Sequence, residues 1–414
     1  MKFKTAYYNY IFAMLLFLQL YLPSFKINVI LQLGILIIFF LSENKLTISI
    51  WFLNKITPLL LLFTICFLGM LVGHYKLFNI IKDIFHLIKP ILGICIGYFF
   101  YKKINNLKKL IITVVLLGFL SAITHLLLLI FFIKTITFAH IRDLGKDNFL
   151  ELFALFFILF YKRFFHEKLF SKKSLHPIII IVLATSSILY FSRTMFVCAI
   201  LILLTIFGYS KITARTIKFL SVVAALTTVL FVYLNVAKPN RNGDAFESFL
   251  YKVYIAPSEI FKTNINRDNH EDLWDHWRGY EAKRAFAFMT ENPTSFVFGG
   301  GYGSLINLKF LAPLTDDIKD KGLKFISELH NGFMYILYKT GIIGTLIYLS
   351  FLIGLYKYCY LKQTFLRIFI SSVGLIYIFT TLTITGLYNT RDIIVFILGA
   401  LLYFEQTSNN YKTL

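Results

Sequence analysis

Charge is scarce in this sequence, and its scarcity decides the solvent. Only 15% of the residues are Asp, Glu, Lys or Arg, where soluble domains carry roughly a quarter. A chain immersed mainly in water is thereby excluded. Cysteine is also rare: Cys66, Cys95, Cys198 and Cys359 all fall within or at the end of apolar segments, with no CxxC spacing. That excludes a redox motif, a cysteine zinc site and a disulfide framework. The first apolar segment, Tyr7 to Leu22, follows Lys2 and Lys4 but has no small-residue cleavage site before Pro23. It therefore reads as a retained first helix rather than a signal peptide.

What the chain does have is apolar surface. Hydrophobic residues make up 58% of it, with 46 Phe and 25 Tyr, and the mean hydropathy is +0.72. Apolar segments recur at about 15 to 24 residues, enough to cross a hydrocarbon core as helices. The expected spans are 7–24, 27–41, 56–73, 87–101, 110–133, 149–161, 177–191, 195–209, 218–236, 332–356, 366–386 and 392–404. The fold class is all-α: a polytopic transmembrane bundle of about twelve helices, with ten or eleven and a re-entrant segment as the alternative, because some spans are short. The bundle's surface is expected to meet membrane lipids.

The formal charge of +21 would suggest nucleic acid in a soluble protein, but here the basic residues sit in short connections between spans. They read as topogenic signals, and nucleic acid is rejected as a partner. Four clusters stand out: Lys102, Lys103, Lys108 and Lys109; Lys162, Arg163, Lys168, Lys172 and Lys173; Lys211, Arg215 and Lys218; and Lys357, Lys362 and Arg367. Alternation of the spans puts all four on one side, taken as cytoplasmic together with both termini. The connection from Ala237 to Leu329 then lies outside, far longer than the usual connection of about 4 to 6 residues. It holds 13 acidic and 12 basic residues, so it is nearly neutral and resembles a soluble region. The chain divides into helices one to nine (1–236), a large, mostly helical outer loop (237–331) and helices ten to twelve (332–414).

Within this frame a few polar residues call for an account. Ser192-Arg193-Thr194 interrupts the apolar stretch from Pro177 to Tyr209, and basic clusters on both flanks require the chain to cross, turn and return. Each arm has only about 15 residues, or roughly 23 Å, so Arg193 is held at or below the outer surface, where an arginine is costly and a functional partner is expected. Asn389-Thr390-Arg391-Asp392 forms a similar outward turn, in which Arg391 and Asp392 are expected to neutralise one another. In the loop, Trp274 to Met289 is expected to form one amphipathic helix carrying Arg278 and Arg284. Gly299-Gly-Gly-Tyr302-Gly-Ser304 is a stretch whose backbone can approach a ligand closely, but it lacks the Lys-Ser/Thr ending of a phosphate loop. Asp268, His270, Glu271, Asp272, Asp275 and His276 are dense in carboxylate and imidazole without a recognised zinc spacing. A solvated face is preferred, and neither metal nor cofactor is expected. At the loop's end, Glu328-Leu-His330-Asn331 runs directly into an apolar helix, whose dipole would keep the His330 ring neutral and able to accept a proton.

Taken in order, these pieces resemble the O-antigen ligase and polymerase superfamily, bacterial membrane proteins that handle glycans on undecaprenyl pyrophosphate. The carriers of the resemblance are Ser192-Arg193-Thr194, then Arg278 followed by an apolar helix, Asn292-Pro293 and Gly299 to Gly303, then His330-Asn331 with Gly341 and Gly344. It spans about residues 177 to 356. One departure is that Trp274 and Trp277 precede the loop arginine instead of following it, so Arg267 and Arg284 stay open as alternatives to Arg278.

The resemblance implies a bacterial inner-membrane, multi-pass enzyme with its active site on the periplasmic face. The reaction it implies is metal-independent, inverting transfer of a glycan from undecaprenyl pyrophosphate to an acceptor hydroxyl. His330 would be the general base, and Arg193 and Arg278 would bind the pyrophosphate. Arg391, Asn331, Arg284 and Tyr302 are expected to contact substrate. The implied partners are the undecaprenyl-pyrophosphate-linked oligosaccharide, an acceptor glycan or lipid A core, and a chain-length regulator protein. An O-antigen or capsule polysaccharide polymerase is the preferred member; a ligase transferring glycan to lipid A core or to protein is the alternative, and a polysaccharide flippase is the alternative of another class.

Overall fold

The computed structural model describes residues 5–22, 24–43, 47–71, 73–132, 149–172, 174–266, 269–291, 293–312 and 322–410. Among these residues nine helices precede the long loop: α1 (Thr5–Tyr21), α2 (Phe25–Ser42), α3 (Ile50–Met70), α4 (Leu77–Ile104), α5 (Leu107–Phe132), α6 (Phe149–Phe165), α7 (Leu175–Leu189), α8 (Arg193–Ile206) and α9 (Ala214–Ala237). The loop contains α10 (Ala245–Phe261), α11 (His270–Asp275), α12 (Trp277–Glu291), α13 (Thr294–Phe298) and the strands β1 (Ile306–Ala312) and β2 (Leu323–Ile326). Three helices follow: α14 (Gly332–Tyr356), α15 (Phe365–Thr383) and α16 (Ile394–Asn410).

Among the described residues, 7 helices are long and apolar enough to cross a membrane. The apolar helices α1, α6, α7, α8 and α16, of 14 to 17 residues, meet the remaining expected spans. The protein is an all-α, multi-pass membrane protein. The largest boundary difference is in α4, expected from residue 87 but starting at Leu77. Its additional turns carry Asp83 and His86, both buried. Asp83 meets Lys339 at 2.5 Å, and with its charge so paired the helix runs through a stretch that hydropathy alone would end.

Packing is uneven. The α4 and α16 helices cross so closely that a Cβ on Gly97 would lie 2.1 Å from the Phe396 carbonyl oxygen; small residues at such a crossing let backbones meet. By contrast α9 buries only Thr216 and Leu234, leaving its apolar side chains to lipid. The basic connections gather at one end of the bundle. Lys108 pairs with Glu167 at 3.0 Å, Phe165 packs on Phe365 with ring centroids 5.3 Å apart, and the Tyr356 hydroxyl donates to the Ser210 carbonyl at 2.7 Å.

The loop gathers at the opposite end. It has a small core of its own, Leu273, Trp277, Tyr280, Leu308 and Ala312, built between α12 and the β1–β2 hairpin. This antiparallel hairpin, with Ile306 opposite Ile326, is an addition to the expected helical loop. The single helix expected from Trp274 to Met289 is instead two, broken at His276, whose backbone (φ −117°, ψ 15°) closes α11.

The glycine-rich turn approaches the protein itself and not open space. Gly301 has φ +68°, and a Cβ there would lie 2.2 Å from the Met70 backbone nitrogen and 2.5 Å from the Cys66 carbonyl oxygen. The Gly300 and Gly301 amides donate to the Tyr338 and Lys339 carbonyls at 2.7 and 3.0 Å. Gly341, at φ +66°, kinks α14 where the turn docks.

Candidate functional site

The turn between α7 and α8 is tight because Phe191 adopts φ +46°, a left-handed conformation uncommon outside glycine. Ser192 then caps α8, its hydroxyl accepting the Met195 amide at 3.4 Å, so that Arg193 is the first helical residue. The amphipathic α10 lies over this turn, with Phe249 packed on Phe191 and Phe196 at centroid distances of 6.1 and 5.9 Å. That docking brings Glu259 and the Lys252 carbonyl to the guanidinium. Arg193 donates to both Glu259 oxygens at 3.0 and 3.2 Å and to the Lys252 carbonyl.

From the other side, α12 presents Arg278, whose Nη1 donates to the same carboxylate at 2.7 Å. The Arg278 Nε is buried and has no hydrogen-bond acceptor among the described residues. Glu259 therefore bridges two arginines from different segments. Both guanidinium side chains keep about a quarter of their surface exposed, at 27% and 28%.

They open on a cavity of about 640 Å³, lined also by Lys252, Asn389 and Arg391. The turn carrying Arg391 is held from below. Gln19 donates to the Thr390 carbonyl at 2.9 Å and Lys89 to the Asn389 carbonyl at 2.6 Å. Asp392 accepts the Tyr377 hydroxyl at 2.6 Å. Arg391 and Asp392, expected to neutralise one another, do not pair: Asp392 is buried against Tyr377, and Arg391 is exposed with no ion pair among the described residues.

His330 lies just before α14. Its ring, 58% exposed, places Nδ1 3.2 Å from both oxygens of Glu281, and its backbone amide donates to the same carboxylate at 2.9 Å. Glu281 itself is buried on α12, one turn after Arg278. Partial desolvation opposes charging of the ring, but the Glu281 carboxylate outweighs it and holds the His330 pKa above its ordinary value; Arg278 and Glu328 act on it more weakly, with opposite signs. The helix-dipole expectation of a neutral ring is thus corrected, because a carboxylate at hydrogen-bond distance acts more strongly than a dipole end. The same contact directs the other ring nitrogen, Nε2, away from the protein's carboxylate.

The structure gives three of the expected substrate-contacting residues other work. The Asn331 side chain caps α14, accepting the Met334 amide at 3.2 Å. Arg284 ties α12 to β1 through the Asn307 carbonyl at 2.8 Å. Tyr302 is fully buried, donating to the Phe63 carbonyl at 2.7 Å. None of the three lines the cavity.

In the acidic cluster, Asp272 accepts from Lys262 and the Asn266 amide at 2.6 and 2.7 Å. Those hydrogen bonds hold its carboxyl below the usual range. Asp275 accepts from Tyr251 and Arg241 at 2.7 and 3.1 Å, so both carboxylates serve to tie the loop together. Arg267, Asp268 and Asn292 lie outside the described residues, as does the His270 side chain.

Two residues of the site, Glu259 and Glu281, were not singled out by the sequence. Their only local signal is position: Glu281 stands one helical turn from Arg278, and Glu259 closes an amphipathic helix.

Residues 177–349 match the family model described as O-Antigen ligase. The chain has no match among curated proteins or solved structures.

Proposed function

Because residues 177–349 match the O-Antigen ligase family model, which supports the O-antigen ligase and polymerase resemblance, we propose that the chain transfers a glycan from a polyprenyl pyrophosphate carrier to a sugar hydroxyl. The carrier in this reading is undecaprenyl pyrophosphate, and the form of the reaction is polymerisation of a surface polysaccharide repeat. The bundle of residues 1–236 and 332–414 holds the carrier lipid, and 237–331 forms the substrate-facing domain on the periplasmic side of the inner membrane. The observation that carries the reading is the convergence of Arg193, Arg278 and Arg391 on one cavity.

A pyrophosphate leaving group gains charge as the glycosidic bond breaks, and guanidinium groups stabilise it with donors in a fixed geometry and a charge that does not titrate away. Arg391 meets the anion first, and Arg193 and Arg278 exchange Glu259 for its oxygens. The acceptor oxygen attacks the anomeric carbon as the carbon–oxygen bond to phosphorus breaks, which inverts that centre. The acceptor's proton passes to His330 Nε2, and the carrier leaves as its pyrophosphate. Glu281 orients the histidine and stabilises the imidazolium that forms. None of these steps calls for a metal ion.

The test is transfer by the purified protein in nanodiscs, with lipid-linked repeat units as substrate and products separated by length. A ladder supports polymerisation, whereas a single addition to lipid A core supports the ligase. Arg193→Lys and Arg278→Lys keep the charge and lose the fork, so both are expected to bind donor more weakly and turn over slowly, and EDTA should leave the wild type unchanged. Near-native turnover in both variants would remove the arginine clamp. Reporter fusions at Lys103, Arg215 and Lys362 are expected to read cytoplasmic and one at Asp244 periplasmic; the reverse would overturn the orientation.

A further inference from the structure

A second cavity, of about 440 Å³, lies beside the first and shares Phe25 and Thr390 with it as a common wall. Its other lining residues include Ser24, Lys82, Phe85 and Glu328. Glu328 precedes His330 by two residues, and Glu281, which meets the His330 ring at 3.2 Å, stands one helical turn from Arg278 of the first cavity. The histidine is thereby tied to the linings of both spaces.

Their chemistry differs. The first presents three arginines and a lysine. In the second, Lys82 is already engaged, with its ammonium 2.9 Å from Glu328 and 3.2 Å from the Ser327 hydroxyl. Lys26, also in its lining, stands over the Phe78 ring at 4.4 Å. A phosphate entering here would meet the Glu328 carboxylate and would have to break the Lys82 pair. A neutral polyol would not. It could donate hydroxyls to Glu328, accept from Lys82, exchange hydrogen bonds with Ser24 and Thr390, and lay its carbon face on Phe25 or Phe85.

A further feature points at this cavity. His86 is 2% exposed, its Nδ1 meets the Tyr335 hydroxyl at 3.1 Å, and its Nε2 makes no hydrogen bond but lies 3.5 Å from Glu328 Oε2. It is a polar atom held in reserve behind the carboxylate that faces the cavity. Burial alone would raise the Glu328 pKa, but His86 and Lys82 outweigh it and keep the carboxyl below its usual range, so the group is an acceptor at neutral pH.

We propose that this second cavity is the subsite for the acceptor sugar, in which Glu328 and Lys82 grip ring hydroxyls and turn the attacking one across the Phe25–Thr390 wall towards His330. The proposal rests on the transfer reaction proposed above. It assigns Glu328 and Lys82 to binding, not to the chemical step.

Two probes separate the readings: inorganic pyrophosphate, and the lipid-free oligosaccharide released by mild acid from the host's own surface polysaccharide. Both are titrated against the full-length protein in nanodiscs, the oligosaccharide by saturation-transfer NMR. Glu328→Gln and Lys82→Gln are expected to weaken oligosaccharide binding and raise the acceptor KM by roughly tenfold or more, with kcat and pyrophosphate affinity changed less than about twofold. Arg193→Lys should do the converse. Thr390→Val, which removes one hydroxyl and keeps the shape, should give a smaller rise in acceptor KM, on the order of threefold. Unchanged oligosaccharide binding in both Glu328→Gln and Lys82→Gln, or equal loss of pyrophosphate affinity, would overturn the subsite. Absence of transfer by the wild type, with oligosaccharide binding still dependent on Glu328, would instead count against the reaction and leave the sugar site standing.

Discussion

Two ion-pair clusters of this protein are built from the same chemistry and behave as opposites. In one, Lys339 and Asp83 meet at 2.5 Å with side chains 0% and 1% exposed, and Lys339 also donates to the carbonyl and hydroxyl of Ser304 at 2.8 and 3.2 Å. The Gly303 amide adds a bond to Asp83 at 2.7 Å. The Lys339 ammonium has three acceptors there and Asp83 Oδ2 accepts twice, so the cluster fastens the glycine-rich turn to α4 and α14. In the other, Arg193 and Arg278 share Glu259 beside an open cavity, and Arg278 Nε has no acceptor. A sealed pair is a joint, whereas a pair at the edge of water can exchange its partner. Exposure and an unfilled donor separate the two where residue type does not.

The comparison can be broken at several points. The largest effect is expected from Asp83→Ala, which leaves the Lys339 ammonium buried without its partner and should destabilise the fold by about 3–5 kcal/mol. Glu259→Ala, the matching truncation at the open pair, should cost no more than about 1 kcal/mol. Thermal unfolding of both variants in detergent measures the difference, and equal losses would erase the distinction. At the open cluster, His330→Ala removes the proposed base, so turnover is expected to fall by on the order of 10² to 10⁴ while the protein inserts normally and still binds donor. Undiminished turnover in a well-folded variant would remove His330 from the chemistry.

A smaller effect concerns pH. The base form of His330 appears only above its pKa, which Glu281 holds above the ordinary value of about 6.5. The rate should therefore rise with pH through the neutral range. Glu281→Gln takes away the carboxylate that favours the imidazolium, so the midpoint of the acidic limb should move to lower pH, with a lower plateau because the ring is less well oriented. A midpoint that stays in place would sever the pair. The smallest effect is expected at Glu259→Gln: with no carboxylate to displace, donor pyrophosphate should bind up to about fivefold more tightly, as read by titration. Weaker binding would mean that Glu259 organises the arginines rather than competing for them.

How much of this was legible depended on range. A run of apolar residues is local, so the apolar helices were visible, and an arginine in a short turn between two apolar arms draws notice to Arg193 and Arg391. The partners were not visible. Glu259 is 66 residues from Arg193, and Glu281 is 49 from His330, and no spacing rule joins such pairs. The extra turns of α4 were hidden because hydropathy counts Asp83 as a charge and cannot see Lys339, 256 residues away. Tyr302 was expected to meet substrate because it stands among glycines, which mark close backbone approach but not what approaches. Here it is α3.

That last contact decides what can be exchanged between proteins of this kind. Gly299 and Gly301 of this turn meet α14 and α3 backbone against backbone, too closely for any side chain at either position. A chimera that transplanted residues 237–331 alone would have to reproduce that seam against foreign helices, atom for atom. The unit that can move between relatives as a whole is therefore discontinuous in sequence: the loop, the end of α3 around Gly69, and the kinked first half of α14.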